Sequence, residues 1–298
     1  MDINKEIAYK ASDADRMIYR VLPAEKGYQK TVFQAMNYSV LAGGKRIRPI
    51  LMLETYKLFG GSNKAIESFV AAIELIHTYS LVHDDLPAMD DDELRRGKLT
   101  THAKFGEAMG VLAGDGLLNY AFEIALDTLD ETKGADNRAV IRSLKVLAKK
   151  AGIYGMIGGH VVDVEAEKQY GISKNRLDFI YELKTGALIE AAMMIGAILG
   201  GATDEEVEQI EDVAKKIGLA FQIQDDVLDV IGETETIGKS VGSDEKNQKA
   251  TYVVFEGLEK AKQEVADLTD DAIAILQELP YENPFLTELL RWMVLRDK

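Results

Sequence analysis

Apolar residues recur along most of the chain at helical spacing, at positions i, i+3, i+4 and i+7, rather than at alternate positions. This spacing predicts helices over Lys64–Asp85, Glu107–Asp130, Asn137–Gly155, Ser173–Leu199, Thr203–Ile231 and Leu258–Leu279. Only five prolines interrupt the 298 residues, so most of the chain is free to be helical. Strand-like, β-branched sequence occurs only at Thr251–Phe255, which is too isolated to support a sheet. The pattern predicts one all-α domain, residues 1–298, of roughly ten helices.

Several helix ends carry sequence signals. Thr203 and Glu206 have capping-box spacing, and the glycine pairs 60–61 and 200–201 follow apolar runs, as helix terminators do. Ala187–Gly201 is apolar nearly all round, which is typical of a central buried helix. Between the helices we expect loops at Pro23–Gln29, Ala42–Pro49, Leu86–His102, Glu131–Asp136 and Gly232–Lys249.

The net charge, the lack of cysteine and the distribution of apolar residues exclude several classes of function. The formal net charge is −15, so general binding to nucleic acid is not expected, because like charges repel. The absence of cysteine excludes disulfides, thiolate metal sites and a cysteine nucleophile. The polar, acid-bearing residues 1–17 do not resemble a secretory signal, and no uninterrupted apolar run is long enough to predict membrane insertion. We therefore expect a soluble cytoplasmic protein and ask what its excess carboxylates do.

One carboxylate cluster lies in Phe221–Ile231. On a helix, Gln222, Asp225, Asp226 and Asp229 fall on one stripe of an otherwise apolar segment. Burying several carboxylates together is unfavourable without counter-ions. Oxygen ligands without His or Cys are suited to Mg²⁺, which is held by a few carboxylates together with water and substrate phosphate.

A second cluster precedes it in the chain. Pro87 should disturb the helix after Asp84 and Asp85, so that the extra residues before Asp90 loop out and Asp90 turns back towards Asp84. Two adjacent arginines, Arg95 and Arg96, follow at once, and arginine is suited to bidentate phosphate contacts. Two such clusters on facing helices could build a metal site for an amphiphilic diphosphate.

Each signal taken alone has an ordinary structural explanation. Asp270 and Asp271 form an acidic pair that we interpret as a solvated helix face. The glycine-bearing turn Ala42–Pro49 lacks the spacing of a Walker A motif. His77 could equally be a partly buried histidine that only stabilises the fold. The simplest alternative hypothesis, without any specific site, is therefore a helical protein with an acidic surface.

The motifs together resemble a known family, the trans-isoprenyl diphosphate synthases, and closely its bacterial farnesyl diphosphate branch. The resemblance covers essentially the whole chain and rests on Gly43–Pro49, Asp84–Asp90, Arg95–Gly97, Lys184–Gly186, Gln222–Asp229 and Gly238–Lys239. It implies the all-α isoprenoid synthase fold, a bundle of roughly ten or more helices around a central cavity, and a homodimer. It also implies about three Mg²⁺ ions per active site, bridging the two aspartate motifs and an allylic diphosphate.

The resemblance also implies roles for single residues. Lys45, Arg48, His77 and Arg96 would bind isopentenyl diphosphate. The allylic diphosphate or its developing cation would be contacted, and the reaction assisted, by Arg95, Lys184, Thr185, Gln222 and Lys239. The metal ligands would be Asp84, Asp85, Asp90, Asp225 and Asp229. Arg296 and Lys298 in the C-terminal tail would help to close the site.

Tyr79, five residues before Asp84, is the candidate for setting product length. Five helical residues span about 7–8 Å, and an aromatic ring there would form a floor under the growing tail, which favours a fifteen-carbon product.

Alternatives are a geranylgeranyl diphosphate synthase, a terpene cyclase and a non-catalytic partner subunit. A cyclase would lack the Lys45 and Arg48 site, and a non-catalytic subunit tends to lose one aspartate motif.

Overall fold

Helices form most of the chain in the computed structural model, which describes residues 2–167, 172–231 and 251–295. In chain order the helices are α1 (Ile3–Val21), α2 (Lys30–Val40), α3 (Ile47–Leu58), α4 (Ile66–Asp84), α5 (Thr101–Phe105), α6 (Glu107–Glu131), α7 (Ala135–Ala151), α8 (Met156–Glu167), α9 (Lys174–Ile180), α10 (Ala187–Gly200), α11 (Asp204–Ile231), α12 (Tyr252–Glu256), α13 (Leu258–Glu278) and α14 (Pro284–Val294). A π-helical segment, Tyr181–Gly186, joins α9 to α10. Strands β1 (Leu94–Arg95) and β2 (Lys98–Leu99) pair as a short antiparallel hairpin.

The predicted helix ends are present. At the start of α11, the Thr203 N–H donates to Glu206 Oε2 at 2.7 Å and the Glu206 N–H donates to Thr203 Oγ1 at 3.2 Å, which is a complete capping box. Gly201 ends α10 in the left-handed conformation, with φ of 96°. These contacts satisfy backbone groups that a helix leaves unpaired at its ends, and they confirm the sequence signals.

Two predicted loops, Ala42–Pro49 and Leu86–His102, contain regular structure, the first because α3 begins at Ile47, and the strand-like sequence at Thr251–Phe255 forms no strand. Thr251–Phe255 is not strand-like but forms most of the short helix α12, because the Thr251 Oγ1 accepts a hydrogen bond from the Val254 N–H at 3.3 Å and starts a helical turn. The predicted loop Leu86–His102 contains the hairpin and the first residues of α5. The predicted loop Gly232–Lys249 lies outside the described residues.

Helix α10 forms the centre of the fold, as its all-round apolar sequence predicts. Every residue from Ala187 to Leu199 is buried, and the helix packs against α3, α4, α7 and α11. A Cβ atom at Gly196 would lie 2.3 Å from the Met52 carbonyl oxygen, so only glycine permits this approach of α3. The segment Lys174–Gly200 is apolar and long enough to span a membrane by length and composition, but 78% of its most apolar window is buried inside the fold.

The one carboxylate in this apolar helix is compensated by a buried ion pair. Glu190 is 1% exposed and pairs with Lys150 of α7. The same Lys150 Nζ lies 2.8 Å from Glu211 Oε1 of α11. A buried charge requires such a partner, and the triad ties three helices together.

The same core positions the two carboxylate clusters. Helix α10 contacts both α4, which ends at Asp84, and α11, which carries Asp225 to Asp229. The π segment immediately precedes α10, and α8 packs against it. The ends of these elements define the candidate site.

Candidate active site

The first carboxylate cluster lies where α4 ends. The Asp90 N–H donates to the Asp84 carbonyl at 2.9 Å, so the chain turns back after Pro87. The Met89 and Asp91 N–H groups both donate to the Leu86 carbonyl, at 2.8 and 3.2 Å, and close this loop. The predicted return of Asp90 towards Asp84 is confirmed.

Asp85 is held by an arginine from the hairpin. Its side chain is 4% exposed, and its Oδ1 accepts from Arg95 Nε at 2.6 Å and lies 2.5 Å from Arg95 Nη2. Burial raises the pKa of Asp85, and Arg95 opposes this rise. The structure therefore places Asp85 and Arg95 together; their roles towards metal and substrate stay predictions.

Asp84 is half-buried beside other charged groups. His160 of α8 places its Nε2 atom 3.1 Å from Asp84 Oδ1. Burial raises the pKa of Asp84 and the Asp90 carboxylate adds to the rise, whereas His160 and Lys184 oppose it. The ionised carboxylate is therefore held at a net cost, which a bound cation would reverse.

The π segment lies between the two clusters. Lys184 Nζ is 2.5 Å from Asp163 Oδ2 of α8. Burial lowers the pKa of Lys184, but Asp163, Asp84 and Asp90 raise it overall. The next residue, Thr185, donates its hydroxyl to Gln222 Oε1 of α11 at 2.9 Å. Thr185 thus contacts α11 directly, whereas Lys184 is bonded to Asp163 and is influenced by the charges of Asp84 and Asp90.

Glycines allow this close arrangement. A Cβ atom at Gly159 of α8 would lie 2.3 Å from the Lys184 backbone nitrogen, and one at Gly218 of α11 would lie 3.1 Å from Gly186 Cα. A side chain at either position would displace the π segment. Such π turns within α-helices are frequent at functional sites.

The second cluster divides into open and buried carboxylates. Asp225 is exposed and Asp229 is half-buried, whereas Asp226 is 8% exposed. Asp226 Oδ2 accepts from the Tyr181 hydroxyl and from the Tyr252 N–H, each at 2.6 Å. Grouping Asp226 with the others on one stripe is therefore only partly right, because its carboxylate contacts the π segment and α12.

Of the residues predicted to bind isopentenyl diphosphate, Arg48, His77 and Arg96 lie together between α3, α4 and the hairpin, whereas the contact of Lys45 is with α14. Arg48 Nη1 lies 3.4 Å from His77 Nε2. Burial lowers the pKa of His77 well below its usual value, and Arg48 and Arg96 lower it further, so the imidazole is neutral at pH 7. A Cβ atom at Gly44 would lie 2.8 Å from Arg96 Nη1, which shows how closely the glycine turn packs on this guanidinium. Lys45 is exposed, with Nζ 5.2 Å from the centre of the Trp292 ring.

Arg46, between these residues, anchors the turn from inside. Its side chain is fully buried and contacts Asp15 at 2.8 Å and Glu74 at 2.6 Å. It also donates to the Val40 carbonyl at 2.8 Å. These bonds fix the start of α3 to α1 and α4, and they orient the neighbouring Lys45 and Arg48.

Tyr79 lies below the first cluster, inside the fold. Its side chain is 5% exposed, and its ring packs edge-on against His83 at 5.8 Å. Burial raises the pKa of Tyr79 to about 12, and the Asp84 carboxylate contributes to the rise. The role of Tyr79 in setting product length stays a prediction.

The donor atoms fit a hard divalent cation. Asp84, Asp90, Asp225 and Asp229 supply carboxylate oxygens at least partly open to solvent. Within residues 2–167, 172–231 and 251–295, no three Asp, Glu or His side chains stand together as a complete metal cage.

Two residues of the site were not identified from the sequence. His160 and Asp163 are three apart on one face of α8, where they contact Asp84 and Lys184. The signal was their i, i+3 spacing, but α8 was not among the predicted helices. Lys239, Arg296 and Lys298 lie outside the described residues.

Comparison with known proteins agrees with these motifs. The sequence model of the polyprenyl synthetase family matches residues 29–279. The farnesyl diphosphate synthase of Escherichia coli is 42% identical over 95% of this chain and 94% of its own length. The geranylgeranyl diphosphate synthase of Cyanophora paradoxa is 43% identical over 83% of this chain and 81% of its own.

A solved structure shows the same fold. The crystal structure of an FPP/GFPP synthase from Zymomonas mobilis, in its apo form, has a TM-score of 0.86 and 35% identity. The match covers 98% of this chain and 99% of that chain. The fold is therefore the all-α isoprenoid synthase fold, and the chain belongs to the polyprenyl synthetase family.

Proposed function

We propose that this chain is a prenyltransferase that condenses isopentenyl diphosphate with dimethylallyl or geranyl diphosphate to give (2E,6E)-farnesyl diphosphate. The observation that carries the proposal is the π segment, where Lys184 lies in the field of the first aspartate motif and Thr185 bonds to Gln222 beside the second. Relatives with farnesyl diphosphate synthase in their names support the product.

The cofactor in this proposal is Mg²⁺, about three ions per site, held by Asp84, Asp85, Asp90, Asp225 and Asp229 with the substrate diphosphate. When bound, Mg²⁺ supplies Lewis-acid stabilisation of the leaving diphosphate. Asp84, Asp90 and Asp225 carry the assignment best, because Asp85 is already bonded to Arg95.

The chain's own residues would then bind and orient the substrates. Lys184, Arg95 and Lys239 stabilise charge on the allylic diphosphate as its carbon–oxygen bond breaks and the electron pair stays with diphosphate. Thr185 and Gln222 present oxygen dipoles to the allylic cation. The buried walls formed by the apolar helices exclude water, which would quench that cation.

Isopentenyl diphosphate would bind on the basic side of the site. Lys45, Arg48 and Arg96 neutralise its diphosphate, and the neutral His77 contributes a ring nitrogen beside Arg48. Its double bond attacks the allylic carbon and forms the new carbon–carbon bond. The departing diphosphate then takes the proton that is lost, so the reaction balances without a strong protein base.

The proposal is tested by incubating the pure protein with isopentenyl diphosphate, Mg²⁺ and either dimethylallyl or geranyl diphosphate. We expect farnesyl diphosphate as the main product and no condensation in excess EDTA. A twenty-carbon main product would favour the geranylgeranyl alternative, and no condensation with either starter would contradict the proposal or favour a non-catalytic subunit.

We also propose a cytoplasmic homodimer. Exposed apolar residues on α6, among them Val111, Leu112 and Leu126, support a protein–protein contact. Light scattering coupled to size exclusion should give twice the mass of one chain, and a monomer at micromolar concentration would contradict the dimer. Cell fractionation tests the location.

A further inference from the structure

The two adjacent aspartates of the second motif differ in their surroundings. Asp225 is exposed, whereas Asp226 is buried and accepts two hydrogen bonds of 2.6 Å on one carboxylate oxygen. Successive residues on a helix point about 100° apart, and here one of the two carboxylates is open to solvent while the other is enclosed by the π segment and α12. Two short bonds to a charged acceptor are strong ones.

The donors to Asp226 belong to two separate elements. Tyr181 is the first residue of the π segment, three residues before Lys184, and Tyr252 is the first residue of α12. Asp226 therefore fixes the start of the segment that presents Lys184 and Thr185. Thr185 is fixed to the same helix one turn earlier by its bond to Gln222.

Further contacts make this corner rigid. Thr251 caps α12 and is 7% exposed, and Lys174 of α9 lies over the Tyr252 ring at 4.8 Å. Helix α9, before the π segment, thus meets α12 at this corner, and α10, after the π segment, packs against α11. A shift of Tyr181 would be transmitted along the helical segment to Lys184.

We infer that Asp226 is a positioning residue for the allylic substrate, acting through Tyr181 on the π segment, rather than a metal ligand. This inference rests on the proposed function for the identity of that substrate. It separates the second motif into carboxylates that face the substrate side and one that sets the geometry of the cationic segment.

The test compares Asp226→Asn, Tyr181→Phe and the double variant. Each single change should raise KM for geranyl diphosphate by roughly tenfold, the size expected when one charge-assisted hydrogen bond is lost. KM for isopentenyl diphosphate should not change, because its predicted ligands lie on other elements. The double variant should be no worse than Asp226→Asn alone. Asp212→Asn, an exposed carboxylate on the same helix, is the matched control.

A second readout does not need activity. Hydrogen–deuterium exchange at the Tyr252 amide should become several-fold faster in Asp226→Asn and stay unchanged in Tyr181→Phe. Additive effects of the two substitutions, an equal rise in both KM values, or unchanged exchange in Asp226→Asn would overturn the inference. If the unaltered protein makes no prenyl product, the proposed function fails, while the exchange measurement still decides what Asp226 holds.

Discussion

The helices that lead into the two aspartate motifs differ in side-chain size on the turns before each motif: α4 has large residues there and α11 has small ones. Seven residues before Asp84, α4 has His77, whereas seven residues before Asp225, α11 has Gly218. Five residues before, the pair is Tyr79 and Ala220, both buried. The motifs look alike in sequence, but the helices below them do not.

This difference divides the work of the site. On α4, His77 meets the guanidinium of Arg48, and Tyr79 is buried with its ring against His83. The small Gly218 of α11 lets the backbone at Gly186 come close enough for Thr185 to bond to Gln222. Under the proposed function, the first helix would shape what binds, and the second would position the segment that binds it.

The largest effect should come from the one feature that the two helices share. Asp84→Asn and Asp225→Asn should each lower kcat by about 10³-fold, because each removes a ligand for Lewis-acid stabilisation worth several kcal/mol. Steady-state assays at saturating substrate measure this effect. The exposed Asp270→Asn on α13 is the control and should keep full activity. Loss in only one of the two variants would mean that the motifs are not equivalent.

A longer product should follow from replacing Tyr79, the large residue five positions before Asp84. Tyr79→Ala removes the ring that lies under Asp84, so the chain should grow beyond fifteen carbons. Tyr79→Phe retains the ring and should retain the farnesyl product. Chromatography of the dephosphorylated alcohols distinguishes the two outcomes, and an unchanged product in Tyr79→Ala would remove Tyr79 as the floor.

The smallest predicted effect is on the pH dependence of stability, and it comes from His77, seven residues before Asp84. Because the pKa of His77 is lowered on folding, the unfolded chain takes up a proton below pH about 6.5 that the folded chain does not. The contribution of His77 to the free energy of unfolding is thus fully present above that pH. Below it, the free energy of unfolding falls by up to about 1.4 kcal/mol per pH unit. Urea unfolding of the unaltered protein and His77→Gln at pH 7.5 and 5.5 should show a smaller pH dependence in the variant. Equal slopes would contradict this contribution.

Much of the fold could be predicted because apolar spacing is a strong signal for long helices. The return of Asp90 towards Asp84 also followed from local sequence, since Pro87 cannot continue α4 in regular form. The hydrogen bond between Thr185 and Gln222 was not predicted; the family resemblance implied only that both residues contact the allylic substrate, which stays a prediction.

Other features depended on contacts distant in sequence. Residues 181–186 have ordinary helical sequence, and their π geometry arises with the close packing of Gly159 and Gly218 from two other helices. In the sequence, nothing distinguishes Asp226 from the neighbouring aspartates. The hydrogen bonds that it accepts from Tyr181 and Tyr252 distinguish it in the folded structure. Thr251–Phe255 has strand-like composition, but without a partner strand a capped helical turn is the better outcome.

The π segment also restricts how the gene can change length. A π turn holds one more residue than an α turn, so deletion of a single codon between positions 181 and 186 would restore regular helix while α9 and α10 keep their relative orientation. The apolar core of α10 would stay intact, but the turn that presents Lys184 and Thr185 would be one residue shorter. Insertions and deletions should therefore be rejected here more strictly than in the surface loops, even when no charged residue is lost.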